Sequence, residues 1–277
     1  MHIARAATTG EEASAVNNHD RSWIAELVQF ERAADVFTVS SPTSGYGRLF
    51  GGLIAAQGLA AAAATVEDRK LPQSLHAYFV RSGTPGVDVV LEVERTRDGR
   101  SFDTRRVTVR QADAIILEML ASFHVVEDGV DEHPAAPPTV PLAESTVARQ
   151  LPGLDDRFEM RVVGDGEGWT GPPYWVRSRQ PIEDDRVIEA CALTFMSDMG
   201  LMATARPPGR PVVLGEFVAA SLDHAIWFHR PFSPERWHSF QADRLNFNDS
   251  CGLVAGAFYD EAGSLIASIQ QEALWRS

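Results

Sequence analysis

Two stretches of the chain, 148 to 149 residues apart, carry related residues in the same order, and this recurrence limits the fold more than any other feature. The first reads HAYFVR from His76, then ERTRDGRS ending at Ser101, then two apolar runs. The second reads HAIWFHR from His224, then DRLNFNDS ending at Ser250, then two apolar runs. Placing Ser101 on Ser250 sets the offset and brings the closing runs into register. The 277 residues suit two domains or one large one, and the recurrence favours two alike halves. A duplicated helix-plus-antiparallel-sheet unit predicts an α+β chain whose halves pack as a pseudo-dimer.

Each half can be read in more detail. Gly51-Gly52 opens the run LIAAQGLAAAAATV, and alanine is the best helix former, so a helix is expected from Gly52 to about Val66. Its small side chains let the backbone sit close to its surroundings. Val87, Val89, Leu91 and Val93 alternate with polar residues, and Arg97-Asp98-Gly99-Arg100 turns the chain back through Val107 and Val109, which predicts a hairpin. Ile115 to Val126 is apolar at most positions and reads as a central strand. Pro134, Pro137, Pro138 and Pro141 then mark an extended connection. The expected organisation is a frayed terminus at 1–22, a first unit at 23–126, a proline-rich linker at 127–152 and a second unit at 153–277. In the second unit a strand is expected at Tyr174 to Arg179 and an apolar helix from about Asp185 to Leu201. One strand from Phe217 to Phe228 and two more from Trp237 to Trp275 should follow.

Composition excludes several classes of function. The formal charge is −13, which repels phosphate backbones and anionic membrane surfaces, so neither nucleic acid nor a membrane is an expected partner. Lys70 is the single lysine. Cys191 and Cys251 are too few for a disulfide framework and lack the paired spacing of a metal or redox site, which fits a reducing cytoplasm. The first twenty residues have no apolar core of a signal peptide, and no stretch is expected to span a membrane. The last residues match no retention or peroxisomal signal. No G-x-S-x-G, P-loop or G-x-G-x-x-G is present, and the eight histidines form no metal-ligand spacing, so neither metal nor cofactor is expected.

Polar residues in apolar surroundings are more informative. Asp198 closes VIEACALTFMSDMGLM, where no wet face is evident; a carboxylate there is hydrogen-bonded or functional, or else a helix end before Gly200 turned to solvent. Gln271 shares a strand face with Leu265, Ala267, Ile269, Ala273 and Trp275, and a buried amide needs partners. It serves either the sheet or a site. Ser221 lies in GEFVAASLDHAIWFHRPF, where small hydroxyls are commonly structural. Asp223 and His224 point to opposite faces of that strand and form no relay between themselves. Arg95, Arg97, Arg100, Arg105 and Arg106 crowd one hairpin, either to hold an anionic ligand or as solvated residues paired with the acidic excess.

Together, GRLFGGLIAAQGLAAA (47–62), LHAYFVRSG (75–83), RTRDGRSFDTRRV (95–107), LASFHV (120–125), LDHAIWFHRPF (222–232) and SIQQE (268–272) resemble the acyl-CoA thioesterase II family. The matches run in order from about Trp23 to Trp275. The resemblance implies a double hotdog, in which two tandem antiparallel sheets each wrap around one long helix. It implies acyl-CoA as substrate, hydrolysis by an activated water, no cofactor and a homo-oligomer. The family's water-activating aspartate, threonine and glutamine fall on Asp198, Ser221 and Gln271. Serine here replaces the usual threonine, keeping the hydroxyl and losing a methyl that stiffens the rotamer. Ala273 also stands where a glycine is common. The Gly51 and Gly52 amides, at a helix N-terminus, are candidate oxyanion donors, and the five hairpin arginines are candidate partners for the coenzyme A phosphates. Two other readings stay open: a hotdog hydratase or dehydratase, for which no H-x-E-like dyad is seen, and a non-catalytic acyl-thioester-binding protein, for which Ser221 leaves room.

Overall fold

The computed structural model describes residues 22–43, 47–133, 141–144, 147–149, 156–162, 171–209 and 218–276. The expected frayed terminus lies outside these residues except for Ser22, whose hydroxyl caps helix α1, Trp23–Leu27. Strands β1, Glu31–Ala33, and β2, Val36–Val39, lead to helix α2, Gly51–Ala63. Strands β3, Lys70–Phe79, β4, Val89–Asp98, β5, Phe102–Gln111, and β6, Ala114–Val125, complete the first half. The second half contains β7, Val147–Arg149, β8, Phe158–Val162, β9, Tyr174–Ser178, helix α3, Arg186–Ser197, and helix α4, Leu201–Thr204. It ends with β10, Val218–Ser221, β11, Asp223–Phe228, β12, His238–Asn248, β13, Cys251–Tyr259, and β14, Leu265–Arg276.

The recurrence in the sequence is carried by strands. Shifted by 149 residues, β3 falls on β10 and β11, β4 on β12, β5 on β13, and β6 on β14. The long helices do not follow: α3 precedes the position that α2 would take, where only the short α4 falls, so the helix-to-sheet connection differs between the halves. Instead of two separate sheets, hydrogen bonds link the described strands into one antiparallel sheet in the order β1-β2-β4-β5-β6-β3-β11-β14-β13-β12-β9-β8-β7, with β10 also on β14. The halves meet at β3 and β11. There His76 pairs with Ala225, its counterpart at the 149-residue offset of the closing strands, while Leu75 pairs with Ile226 and Ala77 with His224. This self-complementary register is what a two-fold axis through one strand pair requires. Each half therefore covers the other's open strand edge.

Helix α2 explains its composition by its place. Every residue from Gly52 to Ala63 is buried, with β3 to β6 beneath it and α3 alongside. Such a helix needs no polar face, and alanine keeps it slim enough to be enclosed. It ends three residues before the expected Val66, where Thr65 Oγ1 donates to the Ala62 carbonyl and the buried Arg105 guanidinium bonds Thr65 at both Oγ1 and O. A cation there complements the negative end of the helix dipole. Lys70, also buried, donates to Asp103 at 2.6 Å and to the Gly99 carbonyl at 2.7 Å. Burial alone would raise the Asp103 carboxyl, but the bonds from Lys70 and the Gly99 amide hold it below its ordinary value.

Several expected boundaries move. The β4–β5 turn lies at Gly99–Ser101, later than Arg97–Arg100. Three strands, not two, follow Trp237, and the strand expected from Phe217 to Phe228 breaks at Leu222. Strand β7 lies inside the expected linker, of which 134–140, 145–146 and 150–152 fall outside the described residues. Arg186–Thr204 is long and apolar enough to cross a membrane, contrary to expectation, yet 67% of that window is buried in the fold.

Candidate active site

The end of α3 meets the start of α2. Asp185 caps the α3 N-terminus by accepting from the Val187 and Ile188 amides, and Asp198 is its C-cap. Gly200, at φ +88°, then turns the chain into α4, and the Tyr174 hydroxyl donates to the Met199 carbonyl at 2.8 Å. A carboxylate at a helix C-terminus faces the wrong end of that dipole, and Asp198 is almost wholly buried. The first turn of α2 compensates. Gly52 N–H donates to Asp198 Oδ2 at 2.9 Å. Burial pushes the Asp198 pKa up to about 6, against the opposing pull of the Gly52 amide, the Gln271 carboxamide and the Arg48 charge.

This approach explains the glycine pair. A Cβ on Gly51 would stand 2.8 Å from Asp198 Oδ2 and 2.9 Å from the Phe79 ring. A Cβ on Gly52 would stand 2.6 Å from the Phe195 carbonyl oxygen and 2.7 Å from the Phe50 ring. A side chain at Gly52 drives the two helix ends apart, and one at Gly51 displaces the Asp198 carboxylate and the Phe79 ring. The Gly52 amide is thus engaged by a carboxylate and is not open to an oxyanion, which corrects that expectation; Gly51 is the candidate that remains.

The rest of the site comes from β10, β11 and β14. Gln271 lies on the inward face of β14 with Ala267, Ile269, Ala273 and Trp275, all buried, as the alternation predicts. Across from it, Ser221 pairs with Ala273 whereas Ala225 pairs with Gln270, so the register slips by one residue around Leu222. Ser221 and His224 are three apart and would face opposite ways on a regular strand. The extra residue turns both inward. Gln271 Nε2 donates to Ser221 Oγ at 2.8 Å. Gln271 Oε1 lies 2.5 Å from His224 Nδ1, and His224 Nε2 lies 2.8 Å from Ser197 Oγ, one residue before Asp198. Burial depresses the His224 pKa to about 4, so the ring is neutral near pH 7.

The structure thus joins Ser221 to Gln271 directly and sets the Gln271 amide close enough to lower the Asp198 pKa. His224 and Ser197 are members that the sequence did not reveal; an odd interval along a strand gives no sign of a bulge. Asp223 faces the other way and accepts from the Glu272 amide at 2.6 Å.

The hairpin arginines stand elsewhere. Arg105 is buried, bonded to Thr65, Asp98 and two backbone carbonyls, which makes it a structural residue and removes it from the candidate phosphate contacts. Arg95 forks onto Asp35 at 2.7 and 3.0 Å, and Arg106 pairs with Glu118 at 3.4 Å. Arg97 and Arg100 are exposed and make no side-chain hydrogen bond or ion pair among the described residues. This group borders the C-terminal end of α2, roughly 20 Å along the helix from Asp198 at 1.5 Å per residue. Among the described residues no cluster of three or more metal-ligating side chains occurs.

Comparison with known proteins decides the family. Residues 39–124 match the family described as "Acyl-CoA thioesterase N-terminal domain", and residues 130–275 match "Acyl-CoA thioesterase C-terminal domain". The chain belongs to the acyl-CoA thioesterase family. It is 31% identical over 274 residues to Acyl-CoA thioesterase 2 of Haemophilus influenzae, covering 90% of this chain and 96% of that one. It is 33% identical over 259 residues to Acyl-coenzyme A thioesterase 8 of Rattus norvegicus, covering 83% and 81% respectively. Among solved structures, the acyl-CoA thioesterase II TesB2 of Mycobacterium marinum superposes with a TM-score of 0.80 at 33% identity, covering 91% of this chain and 98% of that one. This thioesterase is accordingly a thioester hydrolase, with the large antiparallel sheet and few helices of its hotdog-fold neighbours.

Proposed function

We propose that this thioesterase cleaves acyl-CoA with a water held between Asp198, Ser221 and Gln271. Asp198 carries the reading: a buried carboxylate with a pKa of about 6 is mostly ionised at neutral pH, yet basic enough to take a proton. In the first step a water O–H proton passes to Asp198 as its oxygen bonds to the thioester carbon. The Gln271 amide and the Ser221 hydroxyl align that water. The carbonyl electrons then return, the C–S bond breaks, and the thiolate leaves with the electron pair and is protonated by Asp198 or solvent. A thiol of pKa near ~8.5 departs without strong acid assistance. The Gly51 amide is the proposed donor to the developing oxyanion, beside the positive end of α2.

For the substrate's anionic end, Arg48 supplies a cation whose charge already acts on Asp198, while Arg97 and Arg100 meet only a coenzyme that extends along α2. The self-complementary junction at β3 and β11 supports a double hotdog, one unit per half, with the domain boundary within the proline-rich stretch. Tyr78 and Leu120, on neighbouring strands and half or more exposed, are the surface on which we place self-association, tested by light scattering. Both cysteines are free, in keeping with a reducing compartment such as the cytoplasm. The decisive experiment is release of free thiol from a panel of acyl-CoAs by wild type and Asp198→Asn. Turnover by the first and near-complete loss in the second is expected; equal turnover would reject Asp198 as base.

A further inference from the structure

Gln271 has two ways to sit in its place, and only one of them equips the site. A carboxamide presents an oxygen on one side and two N–H donors on the other. With Oε1 toward His224, its NH2 group faces Ser221 and supplies a donor near Asp198. With the amide reversed, an oxygen faces a carboxylate, which is repulsive, and the attacking water loses its second anchor. Gln271 is buried, so no solvent reorders the choice.

The choice falls to the group beneath it. A neutral imidazole holds a single N–H. If the proton is on Nδ1, it donates to Gln271 Oε1, and Nε2 accepts from the Ser197 hydroxyl. If it is on Nε2, it donates to Ser197 Oγ, Ser197 donates to the Thr194 carbonyl 2.9 Å away, and Gln271 must reverse to give Nδ1 a donor. The Asp198 carboxylate favours the first arrangement, because it prefers a donor to an oxygen.

We propose that His224 is a positioning residue for thioester hydrolysis: its Nδ1–H, favoured by the Asp198 carboxylate while Nε2 accepts from Ser197, locks the Gln271 carboxamide with its NH2 group turned into the site. The inference rests on the reading of Asp198 and Gln271 given above. It makes the bulge at Leu222 functional, since without that extra residue Ser221 and His224 would not both reach Gln271. It also explains a fully buried histidine in a chain whose chemistry never calls on it for a proton.

The test uses thiol release by the full chain. His224→Phe removes the donor and keeps most of the ring's volume. It should lower kcat on the order of 10- to 100-fold with little change in KM, because the donor acts on the water and not on the acyl chain. It should also move the acid limb of the kcat–pH profile upward from about 6, since Asp198 then faces an oxygen. The groups acting on that limb are Asp198 itself, the Gly52 amide and Gln271, with the Arg48 charge and the neutral Tyr174 beyond them. His224→Asn, which sets an amide N–H close to the place of Nδ1, should restore much of both. In a Gln271→Ala background His224→Phe should cost little more. An unchanged limb, or a full additional loss in that background, overturns the inference. If His224→Phe does not fold, Ser197→Ala reads the same chain: a several-fold loss with the same shift supports the inference, and wild-type kinetics overturn it. Full activity in Asp198→Asn would instead sink the mechanism on which this rests.

Discussion

Replacing Gly52 by alanine isolates what the start of α2 does for the base. The added Cβ meets the Phe195 carbonyl oxygen at 2.6 Å, and that backbone atom cannot swing aside as a flexible side chain would. The helix ends must separate, which lengthens the 2.9 Å bond from Gly52 N–H to Asp198. A hydrogen bond to a charged group contributes roughly 1.5 to 3 kcal/mol, and one pKa unit equals about 1.36 kcal/mol, so the Asp198 pKa should climb by roughly one to two units. Starting from about 6, the ionised share at pH 7 falls from about nine-tenths to between roughly a half and a tenth. At pH 7, kcat should drop roughly two- to ten-fold, and at pH 9 it should return close to wild type. Thiol release across pH 6 to 9 measures it, with urea unfolding to follow the roughly 1 to 3 kcal/mol cost of overpacking. A deficit that stays constant with pH, in a folded variant, would refute the link between the glycine amide and the base.

Other outcomes follow from the same geometry. Asp198→Asn should lower kcat by at least about 10²-fold. It should also stabilise the protein near pH 7, because a carboxyl raised from 3.8 to about 6 costs about 3 kcal/mol when ionised. That gain is greatest above about pH 6 and vanishes below about pH 4, as urea titrations of both proteins will show. Buried His224 and His238 are each depressed to about 4, so both contribute stability above pH 6.5 that is lost as pH falls toward 4. Asp198 and Glu189, raised by burial to about 6 and about 7, work in the opposite direction and nearly offset the two histidines, so denaturant midpoints should change little between pH 6.5 and 4 in the wild type and decline in Asp198→Asn. Arg105→Met should cost at least roughly 1 to 3 kcal/mol by leaving the buried Thr65 hydroxyl and carbonyl at the α2 C-terminus without their donor, while Asp103 keeps Lys70, with KM for acyl-CoA nearly unchanged in the folded fraction. Ser221→Thr should keep activity within a few-fold, whereas Ser221→Ala should lower kcat about ten-fold or more.

What was legible in the sequence follows from where the information sits. Strand alternation alone put Gln271 on the inward face, because period 2 survives wherever a strand is regular. Asp198 stood out by contrast with its apolar neighbours. Arg105 shares its face with Val107 and Val109, so its burial was open to the same alternation, but a crowd of five arginines hid it. His224 was out of reach for a different reason. Its partnership with Ser221 depends on one extra residue near Leu222, and a single-residue slip reverses every inference drawn from parity. The union of strands into one sheet was equally hidden, since it rests on contacts between β3 and β11, some 150 residues apart. The Gly51-Gly52 pair marked the start of a slim helix, yet not what that start meets; the partner is a carboxylate from the other half.

Lys70 has a practical consequence. It carries the chain's one side-chain amine, buried at the start of β3 and reaching across β6 to Asp103 on β5. An acylating reagent finds no lysine to attack until that end of the sheet opens, so the modification rate at this position counts openings of the sheet. Native chemistry has installed a single-site clock for breathing of the first half, readable by mass spectrometry without introducing a label.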